Sequence, residues 1–283
     1  MLRQRVITAL ALLAILLPAV FYPDPGVFAV VALVLIAAGA WEWGTLNQCN
    51  QFGSLALGAV CAMLCLVSWY FGLLSQPLAM VWVVAGGTWV IVGAWLLNGG
   101  VKAWAGVPQA LRLAGGIAAL WVAWVAVAQA RIMGINFLFS VLVLVWVADI
   151  SAYFAGRALG GRFFRRKLAP TISPGKTWEG ACGGLLGVIV CAFVWRSMDS
   201  SGPVGSASIY TDLANVHPAF MVLAVLFLAT MSIVGDLVES LFKRSAGVKD
   251  SSNLLPGHGG VLDRVDALLP ILPIVMMLAS LRI

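Results

Sequence analysis

Charge is scarce in this sequence. Only 10% of the 283 residues are Asp, Glu, Lys or Arg, whereas 62% are hydrophobic. A soluble globular chain usually has about 25% charged and about 45–50% apolar residues. The composition therefore excludes an ordinary soluble domain and predicts an integral membrane protein.

Cysteine and histidine are also rare. The five cysteines and two histidines form neither a C-x-x-C pair nor the spacing of a zinc finger. A disulfide framework and a structural zinc site are therefore poorly supported, and we expect the cysteines to be small buried side chains. The net charge of +6 suits an anionic partner, which we expect to be lipid or small molecule and not nucleic acid.

Long hydrophobic runs make up most of the chain. A spanning helix needs roughly 20 mainly apolar residues. The first run follows Arg3 and Arg5 as in a signal peptide, but no small-x-small cleavage site follows it, so we expect it to remain as the first helix. The sequence predicts an all-α polytopic bundle of about nine transmembrane helices, the last two either spanning or re-entrant, near 6–22, 27–46, 54–75, 78–97, 113–131, 137–156, 178–196, 218–240 and 266–282.

The basic residues predict the orientation of this bundle. With the N-terminus in the cytoplasm and nine alternating spans, all but three of the 17 Lys and Arg fall in cytoplasmic segments; the exceptions are Arg131, Arg196 and Arg282. Basic loops tend to stay on the cytoplasmic side. We therefore predict a cytoplasmic N-terminus and a polar cavity open to the cytoplasm.

Composition divides the chain into two regions. Residues 1–140 are apolar spans with short loops, whereas polar residues concentrate from Asp149 onward. We predict an N-terminal transmembrane region at 1–140 and a catalytic transmembrane region at 141–283, with cytoplasmic loops at 157–177 and 241–265.

The first polar cluster is WVADISAYFAGRALGGRFFRRK, residues 146–167. Asp149, Tyr153 and Arg157 are spaced i, i+4, i+8 and so share one helix face. An ionisable residue inside a span usually faces a protein or water-filled interior, although a structural Asp149–Arg157 contact would also explain the pair. The basic run at 162–167 is typical of a topology anchor on anionic lipid.

The second cluster is ISPGKTWEG, residues 172–180. It ends like a phosphate-binding P-loop, but Pro170 stands where that motif needs its first glycine. Ser173 or Thr177 is expected to cap the following helix. The ammonium group of Lys176 opposes the helix dipole there, and an anion bound to it would resolve the misfit.

The third cluster occupies residues 234–266. Asp236, Ser240 and Lys243 fall at i, i+4 and i+7, which places a carboxylate, a hydroxyl and an ammonium group on one helix face. Asp236 lies well within an apolar run, where a divalent cation or a nearby lysine would be needed to keep it charged.

The same cluster continues into the glycine-rich segment PGHGG at 256–260. Its glycines allow backbone amides to approach an anion closely. Magnesium prefers oxygen ligands and usually takes one or two carboxylates together with substrate phosphates. Asp236 and Asp263 are the first candidates, with Asp149 third. His258 acts either in proton transfer or as a hydrogen-bond partner of a phosphate or loop carbonyl.

These motifs resemble a known signature. SLFKR at 240–244, Lys249-Asp250, Ser252 and LPGHGGVLDRVD at 255–266 are similar to the signature of the phosphatidate cytidylyltransferases, or CDP-diacylglycerol synthases. SPGKTWEG at 173–180 resembles an upstream motif of that family, and the length and number of spans fit its bacterial members.

The resemblance implies a magnesium-dependent enzyme that condenses CTP with phosphatidic acid to give CDP-diacylglycerol and pyrophosphate. It also implies a homodimer in the bacterial inner membrane with its active site facing the cytoplasm, and it allows a second cation such as K⁺. The residues implied in catalysis are Asp236, Asp263, Lys243, Ser240 and Asp149, the first two as metal ligands. Those implied in substrate binding are Lys176, Ser173, Thr177, Arg244, Lys249, His258, Gly259, Gly260, Arg264 and Asp266.

Three other functions fit the sequence less well. An ion- or proton-coupled secondary transporter, the main alternative, would also bury Asp149 and Asp236, but it normally shows two related halves. A CDP-alcohol phosphotransferase needs a D-G-x-x-A-R spacing, which neither aspartate has. A purely structural scaffold leaves the dense polar set without purpose.

Overall fold

The computed structural model describes residues 2–201 and 205–281, and the regular elements in these ranges are helices. They are α1 (Leu2–Phe21), α2 (Pro25–Leu46), α3 (Gln51–Tyr70), a short 3-10 helix (Leu73–Ser75), α4 (Ala79–Ala105), α5 (Gln109–Met133), α6 (Ile135–Leu159), α7 (Trp178–Ser201), α8 (Ile209–Val216), α9 (Pro218–Ser245), α10 (Leu262–Val265) and α11 (Leu268–Ser280).

Eight of the described helices, α1 to α7 and α9, are long and apolar enough to cross a membrane. They match the first eight predicted stretches, so the all-α membrane architecture is confirmed. The ninth stretch, 266–282, contains α11, whose 13 residues extend about 20 Å at 1.5 Å per residue. A hydrocarbon core is about 30 Å thick. A ninth spanning helix is therefore not confirmed within the described part of the chain.

One end of the bundle collects the sequence-predicted residues. The hydroxyl of Thr8 in α1 donates to the Pro256 carbonyl oxygen at 2.9 Å. The side-chain amide of Gln109 in α5 donates to the backbone carbonyl oxygen of Asn47 at 2.7 Å. We call this the polar end: it comprises the N-termini of α1, α3, α5 and α7, the C-termini of α2, α4, α6 and α9, and the loop between α9 and α10.

The opposite end has polar contacts of its own. Arg131 is buried, and its Nε and Nη2 atoms donate to the carbonyl oxygens of Val20 and Tyr22, both at 2.7 Å. Carbonyl groups at a helix C-terminus lack donors within the helix. Arg131 therefore holds the α1–α2 connection, which explains why this arginine lies outside the predicted cytoplasmic segments. Arg282, another of the three exceptions, lies outside the described residues.

Small residues bring α6 and α7 close together. A Cβ atom at Gly180 would stand 2.9 Å from the Ala152 carbonyl oxygen, and one at Gly184 would stand 2.9 Å from that of Ala148. Helices in membranes often pack through such small residues because the backbones can then approach closely. This packing places the start of α7 beside the polar face of α6.

A glycine also sets the contact between α9 and the C-terminal helices. A Cβ atom at Gly235 would stand 2.6 Å from the Asp266 carbonyl oxygen and 2.8 Å from Cγ of Pro270. The close approach brings Asp236, the next residue in α9, into the neighbourhood of Asp266.

Candidate active site

A cavity of about 460 Å³ lies between α6, α7 and α9 and includes residues at the polar end. The Nζ atom of Lys176, just before α7, forms an ion pair with Oδ2 of Asp236 in α9. Asp149 in α6 lines the same cavity. Three side chains that the sequence predicts for the site therefore come together from three separate segments.

The loop before α7 fixes the position of Lys176. Thr177 Oγ1 accepts a hydrogen bond from the Gly180 amide at 3.0 Å, so Thr177 is the residue that caps α7. The amide of Leu168 donates to the Lys176 carbonyl oxygen at 3.1 Å, which closes the loop on itself. Lys176 is therefore held at the end of a closed loop that borders the cavity. The predicted cap is confirmed, with Thr177 as the capping residue.

Asp149 does not form the structural contact with Arg157 that their helical spacing allows. Arg157 donates from Nη1 to the Tyr153 hydroxyl oxygen at 2.9 Å, and the described ion pairs of the chain do not join it to Asp149. Asp149 instead lies near enough to Asp236, Lys176 and Arg264 to interact with them electrostatically. Its carboxylate therefore belongs to the cavity and not to a local helix contact.

Lys243 has partners other than Asp236. Its Nζ atom forms an ion pair with Glu239 and donates to Oδ1 of Asp263 at 2.6 Å. Asp236 accepts a long hydrogen bond of 3.4 Å from the Ser240 hydroxyl through Oδ1. The predicted helix face therefore belongs to two neighbouring ion-pair networks. Asp236 and Ser240 belong to the network with Lys176, and Lys243 belongs to the network with Glu239 and Asp263.

Asp263 is the centre of the second network. Its Oδ2 atom accepts from the Gly260 amide at 2.7 Å and from the amide and hydroxyl of Ser251, both at 2.9 Å. Burial would raise the pKa of Asp263, but the hydrogen bonds from Lys243, Gly260 and Ser251 outweigh it and hold the pKa below its ordinary value. Gly259, at φ +82°, adopts a backbone conformation that favours glycine.

A glutamate in the N-terminal region completes this network. Glu42 in α2 is fully buried, and its carboxylate lies within hydrogen-bond distance of four donors, three in the loop between α9 and α10 and one at the start of α10. Ser252 Oγ (2.6 Å) and the Val261 amide (2.9 Å) donate to Oε1, while the Leu262 amide (2.8 Å) donates to Oε2. The Ser251 hydroxyl lies 3.1 Å from Oε2 and shares its single proton between this oxygen and Oδ2 of Asp263. Helix α2 therefore contacts both ends of the segment from Ser251 to Leu262 directly.

The sequence reasoning missed Glu42, although a signal was present. An acidic residue inside an apolar run is costly and usually marks an interior polar site, and this argument singled out Asp149 and Asp236. Glu42 lies in the run 27–46 and meets the same criterion. Its partners, 209 or more residues away in sequence, carry no local pattern that would identify them.

The remaining predicted residues surround the two networks. Arg244 donates long 3.4 Å hydrogen bonds to the carbonyl oxygens of Ile172 and Val248, and Lys249 and Arg264 are exposed. The Nδ1 atom of His258 is buried and has no hydrogen-bond partner among the described residues. Asp266 lies near enough to Asp236 and Lys243 to interact electrostatically.

Comparison with known proteins adds a second line of evidence. The profile of the "Cytidylyltransferase family" matches residues 3–281. The chain belongs to this family. A phosphatidate cytidylyltransferase of Pseudomonas aeruginosa is 39% identical over 97% of this chain and 95% of its own. One of Haemophilus influenzae is 35% identical over 96% of each chain, and one of Bacillus subtilis is 38% identical over 52% of this chain and 49% of its own.

The candidate site contains carboxylate oxygens, the kind of ligand that a hard divalent cation prefers. The described residues contain no ready group of three or more His, Cys, Asp or Glu arranged to hold a metal ion. Asp149, Asp236 and Asp266 nevertheless interact electrostatically with one another, and carboxylates are the oxygen ligands that magnesium prefers. Of the predicted pair, Asp236 lines the cavity, whereas both oxygens of Asp263 already accept hydrogen bonds.

A larger apolar cavity, of about 690 Å³, lies between α4, α5 and α9. Its charged lining consists of Arg112 and Glu239, and it contains none of the site residues predicted from the sequence. The chemistry therefore points to the smaller cavity, which holds Asp149, Lys176 and Asp236.

Proposed function

We propose that this chain transfers the cytidylyl group of CTP to phosphatidic acid, giving CDP-diacylglycerol and pyrophosphate for phospholipid biosynthesis. Membership of the cytidylyltransferase family and the name shared by the relatives support this activity. The structural observation that carries the proposal is the convergence of Lys176, Asp236 and Asp149 on one cavity among membrane helices.

The reaction requires little acid–base chemistry. A phosphate oxygen of phosphatidic acid forms a bond to the α-phosphorus of CTP, and the bond from that phosphorus to the bridging oxygen breaks as pyrophosphate leaves in line. The lipid phosphate is already ionised at neutral pH, so positioning and charge neutralisation matter more than a strong base. Lys176 and Lys243 are the ammonium groups assigned to this neutralisation, and Arg264 adds a guanidinium group.

Magnesium is the cofactor proposed for this site. Asp236 and Asp263 remain the proposed ligands, and Asp149 and Asp266 are close enough to take part. When bound, the ion would neutralise and orient the triphosphate. Because Lys243 donates to Oδ1 of Asp263, this lysine must turn toward substrate for Asp263 to bind an ion through that oxygen. A second cation such as K⁺ belongs to the same proposal.

The substrate-binding assignments follow from position around the cavity. Thr177 lines it beside Lys176, and Ser173 lies in the same closed loop. The unpartnered Nδ1 atom of His258 is suited to a phosphate hydrogen bond. We assign three exposed basic residues of the polar end to the anionic groups of the nucleotide: Arg244, Lys249 and Arg264. The segment containing Gly259, Gly260 and Asp266 is assigned to closing the site.

The proposed setting is the bacterial inner membrane, with the polar end in the cytoplasm and two copies forming a homodimer. The basic residues between α6 and α7 and after α9 lie at the polar end, as expected for cytoplasmic segments. CTP would enter from this side, and the lipid would enter from the bilayer between the helices.

The activity is tested with CTP labelled at the α-phosphate. Membranes containing the protein are incubated with phosphatidic acid and magnesium, beside membranes with Lys176→Ala. We expect label in the lipid phase together with free pyrophosphate, and at most a small fraction of both from the variant. Absence of both products with the unmodified protein would contradict the proposal and favour the transporter.

A further inference from the structure

We infer that Glu42 is a positioning residue for cytidylyl transfer, holding the loop between α9 and α10 in the form that presents Asp263. This inference rests on the proposed function. Glu42 lies in the apolar N-terminal region, outside the sequence motifs. It acts through the loop and not through contact with substrate, since Glu42 is fully buried and its four donor groups lie in that loop and at the start of α10.

The link between Glu42 and Asp263 passes through one side chain. The Ser251 hydroxyl lies 3.1 Å from Oε2 of Glu42 and 2.9 Å from Oδ2 of Asp263. The Ser251 amide donates to the same Asp263 oxygen at 2.9 Å. A shift of Ser251 would therefore move Asp263, which is the partner of Lys243.

The backbone of the loop is fitted to this carboxylate. A Cβ atom at Gly260 would stand 2.4 Å from Oε1 of Glu42 and 2.0 Å from Ser251 Oγ. Glycine is therefore required at position 260 for the loop to reach Glu42. The amides of Val261 and Leu262 then donate to the two oxygens, one to each.

The pattern of donors makes the carboxylate hard to replace. An ionised carboxylate only accepts hydrogen bonds, and here each oxygen faces one hydroxyl and one backbone amide, with the Ser251 hydroxyl sharing its proton with Asp263. In Glu42→Gln the side-chain NH₂ group must face one of the two amides, whichever way it is turned. A buried amide without an acceptor is destabilising, so the loop is expected to move away from that amide.

The test compares Glu42→Gln with Asp199→Asn at the opposite end of the bundle. Asp199 is a matched control because it also accepts one backbone amide, from Ser208, together with side-chain donors from Asn136 and Thr211. We expect Glu42→Gln to lower kcat by about 10- to 100-fold with the KM for CTP changed less than threefold. Asp199→Asn should keep the original kcat, whatever either variant does to Tm.

A double-mutant cycle separates positioning from general stability. Ser251→Ala removes the hydroxyl that links the two carboxylates, so Glu42→Gln should cost at least about threefold less in kcat in that background than alone. Equal losses in both backgrounds, or an unchanged kcat in Glu42→Gln, would overturn the inference. If Glu42→Gln does not assemble, Ser252→Ala removes a single 2.6 Å bond to Glu42 and should still lower kcat about two- to tenfold.

Hydrogen–deuterium exchange measures how readily the backbone amides of Val261 and Leu262 open to solvent, independently of turnover. Peptides covering Val261 and Leu262 should exchange at least about tenfold faster in Glu42→Gln than in the unmodified protein or Asp199→Asn. Unchanged exchange would contradict the role of Glu42. Unmodified protein that makes no CDP-diacylglycerol would instead contradict the proposed function, and the exchange result would still show whether Glu42 holds the loop.

Discussion

Three acidic side chains inside the helices are each placed against a specific group at the polar end. Asp236 pairs with Lys176, Glu239 pairs with Lys243, and Glu42 accepts from the α9–α10 loop. A carboxylate in an apolar surrounding is expensive unless it is paired or well hydrogen-bonded. These three carboxylates are therefore compensated by neighbouring lysines or backbone amides.

Asp236→Asn should reduce CDP-diacylglycerol formation at least about 100-fold, as expected for loss of a charge that acts in the transition state. The variant should still insert into the membrane and keep its oligomeric state. Asp24→Asn is the control, because Asp24 caps α2 at the opposite end by accepting from the Gly26 amide at 2.8 Å. Near-normal turnover of Asp236→Asn, measured with purified protein in detergent, would remove Asp236 from the metal centre.

His258→Ala distinguishes the two roles left open for this residue. If His258 only hydrogen-bonds a phosphate or the loop, the loss in kcat should stay below about tenfold and the pH–rate profile should keep its shape. General acid–base catalysis contributes about 10²–10⁴-fold. We expect the smaller loss, and a steep change in the profile between pH 5 and 8 would assign proton transfer to His258 instead.

At the scale of elements, the close packing of α6 on α7 positions the cavity. Asp149 and Lys176 approach each other because glycines of α7 lie against backbone carbonyl groups of α6. The ion pair between Lys176 and Asp236 then ties this helical hairpin to α9. A change that separates α6 from α7 should therefore affect catalysis as well as stability.

Gly184→Leu tests this packing. A side chain there would enter the space at the Ala148 carbonyl oxygen, and overpacking typically costs about 1–3 kcal/mol. We expect a lower Tm and a loss of activity larger than the loss of folded protein. Gly87→Leu in α4 is the matched control, since a Cβ atom at Gly87 meets nothing within 4 Å. Equal behaviour of the two variants would contradict the role of the α6–α7 contact.

Several elements could be predicted from local pattern. The first eight apolar stretches correspond to long helices, and the cap at Thr177 follows from a hydroxyl at the start of a helix. The sequence did not predict that the ninth stretch contains only a short helix. Hydropathy does not show the turn between α10 and α11 that shortens α11. The contacts of Glu42 and Asp263 join distant segments, and sequence spacing alone does not encode such pairings.

At the scale of the whole molecule, the two regions separated by composition share one polar end. Thr8 donates to the Pro256 carbonyl oxygen, and Glu42 accepts from Val261 and Leu262. The apolar region thus supports the loop that leads into α10, where Asp263 lies. The division at residues 140 and 141 remains a prediction, and these contacts cross it.

The orientation of the bundle can be measured by cysteine labelling. In a background without the five native cysteines, Asn253→Cys lies in the exposed loop after α9, and Ser75→Cys lies exposed at the opposite end. A membrane-impermeant maleimide should label position 253 only in inside-out vesicles and position 75 only in right-side-out vesicles. The reverse pattern would place the polar end outside the cytoplasm.

We propose that carboxylates at the polar end would hold a divalent cation, which would neutralise the phosphates of CTP. The most direct measurement is CDP-diacylglycerol formation by purified protein after chelation with EDTA, with CTP binding followed by calorimetry on the same samples. We predict that EDTA abolishes turnover, weakens CTP binding at least about tenfold, and that added Mg²⁺ restores both. Full turnover and unchanged CTP affinity without any divalent ion would contradict the proposed role of the cation.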